Sequence, residues 1–221
     1  MARETEPDRE SKLDPEEIPV DPDEIARREA RNALRQFDAV IELVEDASRS
    51  DKPFRLRPST ILELNRVAIE GVNRFAGVYR PDAIHISGSD HSPPPSKDVP
   101  VLVEDMCDYV NDHWELSPVH LAAYLMWRVN WIHPFSDGNG RTARAISYAV
   151  LSIRLGDRLP GVVTIPEQIS ENKRPYYHAL EQADAAWEQE QINVASLEQL
   201  LGEKLANQLA EVLRQATQIK K

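Results

Sequence analysis

Two stretches with apolar residues at helical spacing are separated by nine residues, His133-Pro134-Phe135-Ser136-Asp137-Gly138-Asn139-Gly140-Arg141. The first, VHLAAYLMWRVNWI (119–132), must stop there, because Pro134 disfavours helical geometry at His133. Glycine at 138 and 140 lets the backbone take positive φ and approach a ligand with no Cβ in the way. The second helix is expected from about Gly140 to Leu155, with Gly156 as its C-terminal cap. The chain is thereby bound to a helix–loop–helix whose loop holds more specialised residues than a connection needs.

Those residues suit a phosphate. The first N–H groups of the second helix have no partner within it and, with the helix dipole, form an anion site. Arg141 and Arg144 share one face of that first turn. Cations there are unfavourable by roughly 0.3–1 kcal/mol each, a cost that a polyanion would offset. The guanidinium fork also matches phosphate oxygens. Asp137 adds the lone carboxylate with which Mg²⁺ is usually held alongside phosphate oxygens and water, whereas one His and one Asp fall short of a zinc set. His133, at the end of its helix, is placed to act as a general base near neutral pH. Phe135 is assigned to packing, as an apolar anchor for the loop. A Gly/Asn/Asp turn with Asp137 as a simple helix cap is the competing description. Turn chemistry alone does not account for the ordered set running on to Arg144. The combination points to attack by a hydroxyl on a nucleotide phosphate.

The rest of the chain is mostly helical in pattern. Asp21 and Pro22 open a helix with Ala30, Ala33, Leu34, Phe37, Val40, Ile41 and Val44 at helical spacing. RPSTILELNRVAIEGVNRF (57–75) predicts a second, with Thr60 and Glu63 as a capping box. Ile84 and Ile86 alternate with His85 before Ser87-Gly88-Ser89-Asp90, which predicts a short hairpin, and Pro93, Pro94 and Pro95 forbid regular pairing beyond it. Further helices are expected over Val99–Trp114, from Ser117 and Pro118 to the motif, over Glu167–Trp187 with a bend at Pro175, and over Ser196–Gln218. The expected architecture is mainly α with one small β-hairpin.

Three segments are expected along the chain. Residues 1–22 are acidic, proline-containing and poor in large apolar side chains, so a flexible tail is expected. Residues 23–190 form the catalytic domain, and 191–221 an amphipathic helix that packs on it rather than on a second copy. The net charge of −11 argues against a nucleic-acid partner. The longest uncharged runs, Val119–Trp127 and Ala145–Ile153, are too short to span a bilayer. A charged N-terminus without an apolar signal and a single cysteine, Cys107, lead to the expectation of a cytoplasmic protein with a buried, inert thiol.

HPFSDGNGRTAR (133–144) resembles the signature of Fic-domain proteins, H-P-F-x-(D/E)-G-N-G-R-x-x-R, at every specified position. ILELNRVAIEGVNRFAGVYR (61–80) resembles the helix before the family's flap, and IPEQISENKRPYYHALEQAD (165–184) its closing helices. The resemblance implies a Fic fold and transfer of AMP from ATP, with Mg²⁺, to a Ser, Thr or Tyr hydroxyl of a target protein. By matching position, His133 is the base and Asp137 the metal ligand. Gly138, Asn139 and Gly140 form the anion hole, Arg141 holds the β-phosphate and Arg144 engages the γ-phosphate. A related branch, the death-on-curing toxins, transfers the terminal phosphate and carries lysine at the position of Gly140, so Gly140 favours AMP transfer. Removal of AMP, transfer of another phosphate-linked group, and a nucleotide-binding module without turnover are the alternatives.

The hairpin, with Ile86, Ser87, Gly88 and Ser89, resembles the flap that docks the target as an added strand. Tyr176 and Tyr177 are candidates to border the adenine. The family's inhibitory S/T-x-x-x-E-G/N segment is not matched: Glu70-Gly71 has its ending, but Arg66 stands where Ser or Thr should be, and Glu29 lacks the pattern too. Inhibition is therefore expected from Glu29 or Glu70, or from a small antitoxin-like partner.

Overall fold

The computed structural model describes residues 11–12, 21–161 and 163–218. Of the expected tail, only Ser11–Lys12 and the two residues that open the first helix fall among them; the remainder lies outside the described residues.

Helix α1 (Pro22–Arg49) begins as its sequence dictates, with Asp21 Oδ1 accepting from the Asp23 N–H at 3.1 Å and proline in the first turn. Its inner face buries Val40 and Val44 together with the polar Asn32 and Gln36, while Leu34, expected on that face, is 70% exposed. Helix α2 is shorter than predicted, Pro58–Ile69. The capping box does not form: Arg57 is the N-cap, without a side-chain bond, and Glu63 instead binds the Arg66 guanidinium. Glu70 leaves helical geometry and Gly71 has φ 71°, which ends the helix ahead of Val72–Phe75.

Helices α3 (Val99–Asp112), α4 (Pro118–Ile132) and α5 (Asn139–Leu155) follow. Leu121 to Val129 are all buried, Arg128 among them, so this stretch of α4 is covered on every side. It pairs most extensively with α5, and Ser147 Oγ donates to Ala122 O across that seam at 2.7 Å. Helices α1 and α2 cover α5, while α3 lies on α4. The loop between α4 and α5 is held at the end of this central pair.

The single helix expected over Glu167–Trp187 is two, α6 (Ile165–Glu171) and α7 (Arg174–Trp187). Pro175 falls in the first turn of α7, where its missing N–H costs nothing. Helix α8 (Ala195–Gln218) packs on α4, α6 and α7, burying Leu197 and Leu201. Gln208 pins it, donating to Tyr148 Oη and Pro160 O and accepting from the Ile165 N–H. Among the described residues no helix is long and apolar enough to cross a membrane. Cys107 is buried, and burial pushes its thiol up to about 12, as an inert core group.

The expected hairpin is absent. Strand β2 has two residues, His85–Ile86, and pairs antiparallel with β1, Ser11–Lys12, in the register Ser11↔Ile86 and Lys12↔His85. Beyond the turn closed by Ser89 N–H to Ile86 O, the returning arm runs into Pro93–Pro95, which have no N–H to donate to a ladder.

Candidate active site

The loop between α4 and α5 opens on a cavity of about 1120 Å³. Its lining includes His133, Asp137 to Arg141, Arg144, Tyr176 and Tyr177, with Glu29 from α1 and Ile86, Ser89 and His91 from the segment around β2.

His133 ends α4 in the left-handed conformation, φ 51°, with its N–H still bonded to Val129 O. A left-handed turn at a side chain with a Cβ carries a steric cost, so the surroundings must hold it. They do so through the carbonyl, which accepts from Arg80 Nε at 2.8 Å. The imidazole is only 5% exposed. Its Nδ1 lies 3.2 Å from Asn130 O, and a carbonyl can only accept, so Nδ1 carries the proton and Nε2 the lone pair. Burial pushes the imidazole down to about 3, the Asn130 bond opposes that shift, and His91 and Arg80 add to it. At neutral pH the ring is therefore neutral and able to accept a proton.

Two of the loop's residues shape it rather than line it chemically. Gly138, at φ 77°, is the N-cap of α5, and a Cβ there would come within 2.8 Å of Ile69 Cγ2 and 3.0 Å of Asn65 Nδ2. Glycine is required by conformation and by the approach of α2. Asn139, expected in the anion hole, lines the cavity while its side chain turns inward: Nδ2 donates to Phe135 O at 2.8 Å and Oδ1 accepts from the Phe135 N–H at 2.9 Å. What Asn139 leaves to the cavity is its main chain at the start of α5. Gly140 also departs from expectation, since it lies within α5 and has no positive φ; a Cβ there would meet Arg144 Nη1 at 3.3 Å. Phe135 is fully buried against Tyr79, as an anchor should be.

The two arginines differ in their partners. Arg141 reaches Glu29 Oε1 at 3.1 Å and Asp137 Oδ2 at 3.0 Å. For Arg144 there is no ion pair among the described residues. Asp137 Oδ1 accepts from the Gly138 N–H at 2.5 Å and Oδ2 from Arg141 Nη2, so both of its oxygens are engaged at the start of α5. No group of three or more His, Cys, Asp or Glu suited to a metal occurs among the described residues.

Of the remaining candidates, Ile86 and Ser89 line the cavity, whereas Ser87 and left-handed Gly88 form the turn outside that lining. Tyr176 is buried and its hydroxyl accepts from Asn130 Nδ2 at 2.7 Å, which supports the residue that orients His133. Tyr177 is the more open of the pair. Glu70 does not reach the cavity; its carboxylate is held by Arg66 at 2.6 Å and Arg35 at 2.8 Å. Asn65, which donates to Asp137 O and accepts from the Gly77 N–H, and Asn130 were not singled out from the sequence. Asn130 stands three positions before His133 on one helix, a spacing that marks a neighbour in hindsight.

Residues 55–151, which span the end of the segment before α2 through most of α5, match the model of the Fic/DOC family. This stretch is similar to Fic domains. The protein adenylyltransferase Fic of Drosophila willistoni is 36% identical over 127 residues, 56% of this chain and 24% of that one. The chain thus spans about a quarter of the length of that curated relative. A Fic family protein from Desulfovibrio desulfuricans shares the fold, with a TM-score of 0.65 at 23% identity over 90% of this chain and 56% of its own. A Fic domain solved in complex with adenylylated Cdc42 superposes with a TM-score of 0.51 at 12% identity, over 87% of this chain and 65% of its own. In this chain the motif occupies the α4–α5 loop, and the segment around β2 stands where the flap was expected.

Proposed function

We propose that this chain transfers AMP from ATP to a hydroxyl side chain of a target protein. The observation that carries the proposal is the arrangement of His133: a neutral imidazole, its Nδ1 proton turned to Asn130 O, in one cavity with the start of α5 and Arg144. In the reaction, His133 Nε2 takes the proton of the target hydroxyl. The oxygen attacks the α-phosphorus, the bond from that phosphorus to the bridging oxygen breaks, and pyrophosphate leaves. The N–H groups at the start of α5 and the two guanidinium groups stabilise the charge on the phosphates, which is the main task in such a transfer.

Asp137 fits a magnesium ion, as one carboxylate at the edge of an anion cradle, the usual protein share of a Mg²⁺–phosphate site. When bound, the ion would neutralise phosphate charge and hold the triphosphate in one geometry. Arg141 would exchange the Glu29 and Asp137 carboxylates for phosphate oxygens, which makes Glu29 the internal restraint. Tyr177 is better placed than Tyr176 to face the adenine, since the Tyr176 hydroxyl is engaged by Asn130. The target would dock as a strand on β2, displacing the Ser11–Lys12 pairing there.

Incubation with cell lysate and ATP labelled on the α- or γ-phosphate tests the reading. Protein label from the α-position alone supports AMP transfer. Label from γ alone supports kinase-like transfer, and none from either, in the wild type and in Glu29→Gln, supports a binding module. His133→Ala should abolish transfer while Mg-ATP binding survives; full activity in that variant rules out the imidazole as base.

A further inference from the structure

Arg80 is the least exposed arginine among the described residues, and the reaction above does not use it. It is 2% exposed, and burial lowers its pKa. Its guanidinium is directed at main-chain oxygens: Nε donates to His133 O at 2.8 Å, Nη1 to Asp82 O at 2.8 Å, and Nη2 to Pro94 O. The Arg80 N–H donates to Pro134 O at 2.9 Å. Asp82 and Pro94 are the two feet of the segment that carries β2, and between them Ile86, Ser89 and His91 line the cavity. One planar group therefore fastens both feet of the flap to the carbonyl of the residue that ends α4.

A buried cation whose side-chain partners among the described residues are carbonyl dipoles is an expensive way to stabilise a fold, because it gives up hydration for dipoles alone. Its return is geometric. The guanidinium donors lie in one plane at fixed angles, so contacts in three directions set three pieces of backbone relative to one another. Two of those pieces hold the acceptor's docking edge and the third holds the base. None of these acceptors lies at the start of α5, where the nucleotide cradle is proposed. Loss of Arg80 should accordingly disturb the acceptor side and leave the ATP side alone.

We propose that Arg80 is a positioning residue that keeps the flap and His133 in one register, so that a docked hydroxyl meets the imidazole. The inference rests on the AMP-transfer reading. In the full chain, Arg80→Lys and Arg80→Ala are compared with wild type for Mg-ATP binding by titration and for α-label transferred from ATP into lysate proteins. Arg80→Lys should bind Mg-ATP within about twofold of wild type and lose transfer on the order of 10²-fold, the cost of about 1 Å of misplacement between reacting groups. Added methylguanidinium should restore part of the transfer by Arg80→Ala. Parallel losses of binding and transfer, or transfer that is unchanged, overturn the proposal. If neither variant folds, hydrogen exchange of the wild-type chain decides: amides of 82–94 should open together with those of 130–135, and independent opening overturns the linkage. A wild type that labels no protein discards AMP transfer itself, while the exchange result still tests the linkage.

Discussion

Glu29 Oε1 and Arg141 Nη1 lie 3.1 Å apart although 112 positions separate them in the chain, and they join α1 to the first turn of α5. The same guanidinium also holds Asp137, so phosphate binding at Arg141 has to displace carboxylates. Glu29 is nearly half exposed, which limits such a pair to about 1 kcal/mol or less. Glu29→Gln should therefore raise apparent Mg-ATP affinity and AMP transfer by no more than about fivefold. Glu70→Gln, whose parent carboxylate sits with Arg35 and Arg66 outside the cavity, should leave both unchanged. Titration and label transfer on the two variants check this, and a rise with Glu70→Gln instead would reverse the assignment.

Among the described residues Arg144 has no carboxylate to leave, so on the proposed reading its contribution to phosphate binding would be undiminished. Charge-assisted hydrogen bonds contribute about 1.5–3 kcal/mol. Arg144→Ala should weaken Mg-ATP binding by roughly 10–100-fold while the melting temperature changes little. Equal ATP affinity in calorimetry would remove Arg144 from the site.

Asn139 is expected to matter first for the shape of the loop. Replacing it with alanine leaves the buried Phe135 N–H and C=O without their partners. That should cost about 3 kcal/mol, or a fall in Tm of roughly 6–12 °C. Asn139→Asp keeps the acceptor for Phe135 N–H but not the donor, and should fall between the two. Thermal unfolding of both variants measures the order, and a wild-type Tm for Asn139→Ala contradicts the clamp.

His133 should leave its mark on stability in acid. The folded imidazole is held down at about 3, below its ordinary value of 6.5, so the unfolded chain binds more protons between these limits. Stability from this group is complete above about pH 6.5, is lost progressively as pH falls, and is fully lost below about pH 3. The total is on the order of 5 kcal/mol. Wild type should begin to lose Tm near pH 6, ahead of the carboxylates, and His133→Gln should not show that early limb. Superimposable Tm profiles from pH 7 to 4 would contradict the buried neutral imidazole. For the same reason, the pH profile of transfer should show no titration of this base near 6.5 in the free protein.

How far the site could be read without coordinates depends on the range over which each residue acts. Pro22, Pro118, Pro134, Gly138 and Gly156 act on their own backbone or on that of a neighbour, so the boundaries of α1, α4 and α5 were legible in the sequence. The order His133, Asp137, Gly138 and Arg144 was legible for the same reason, because one short loop brings them to one cavity. The capping box at Thr60 failed because Glu63 found the Arg66 guanidinium one turn away. The hairpin failed because strand pairing is decided between segments, and the partner of Ile86 is Ser11.

The sequence by itself determined a helical chain interrupted by a glycine- and arginine-bearing loop, since proline, glycine and helix periodicity operate within a few residues. Only the tertiary structure decided what the loop's polar side chains touch. Asn139 turns to Phe135, Arg141 to Glu29, Arg80 to His133 and Glu70 away to Arg35 because packed helices bring these groups within hydrogen-bonding distance. A buried donor takes the acceptor that the fold places beside it, and its own position in the chain does not disclose which one that is.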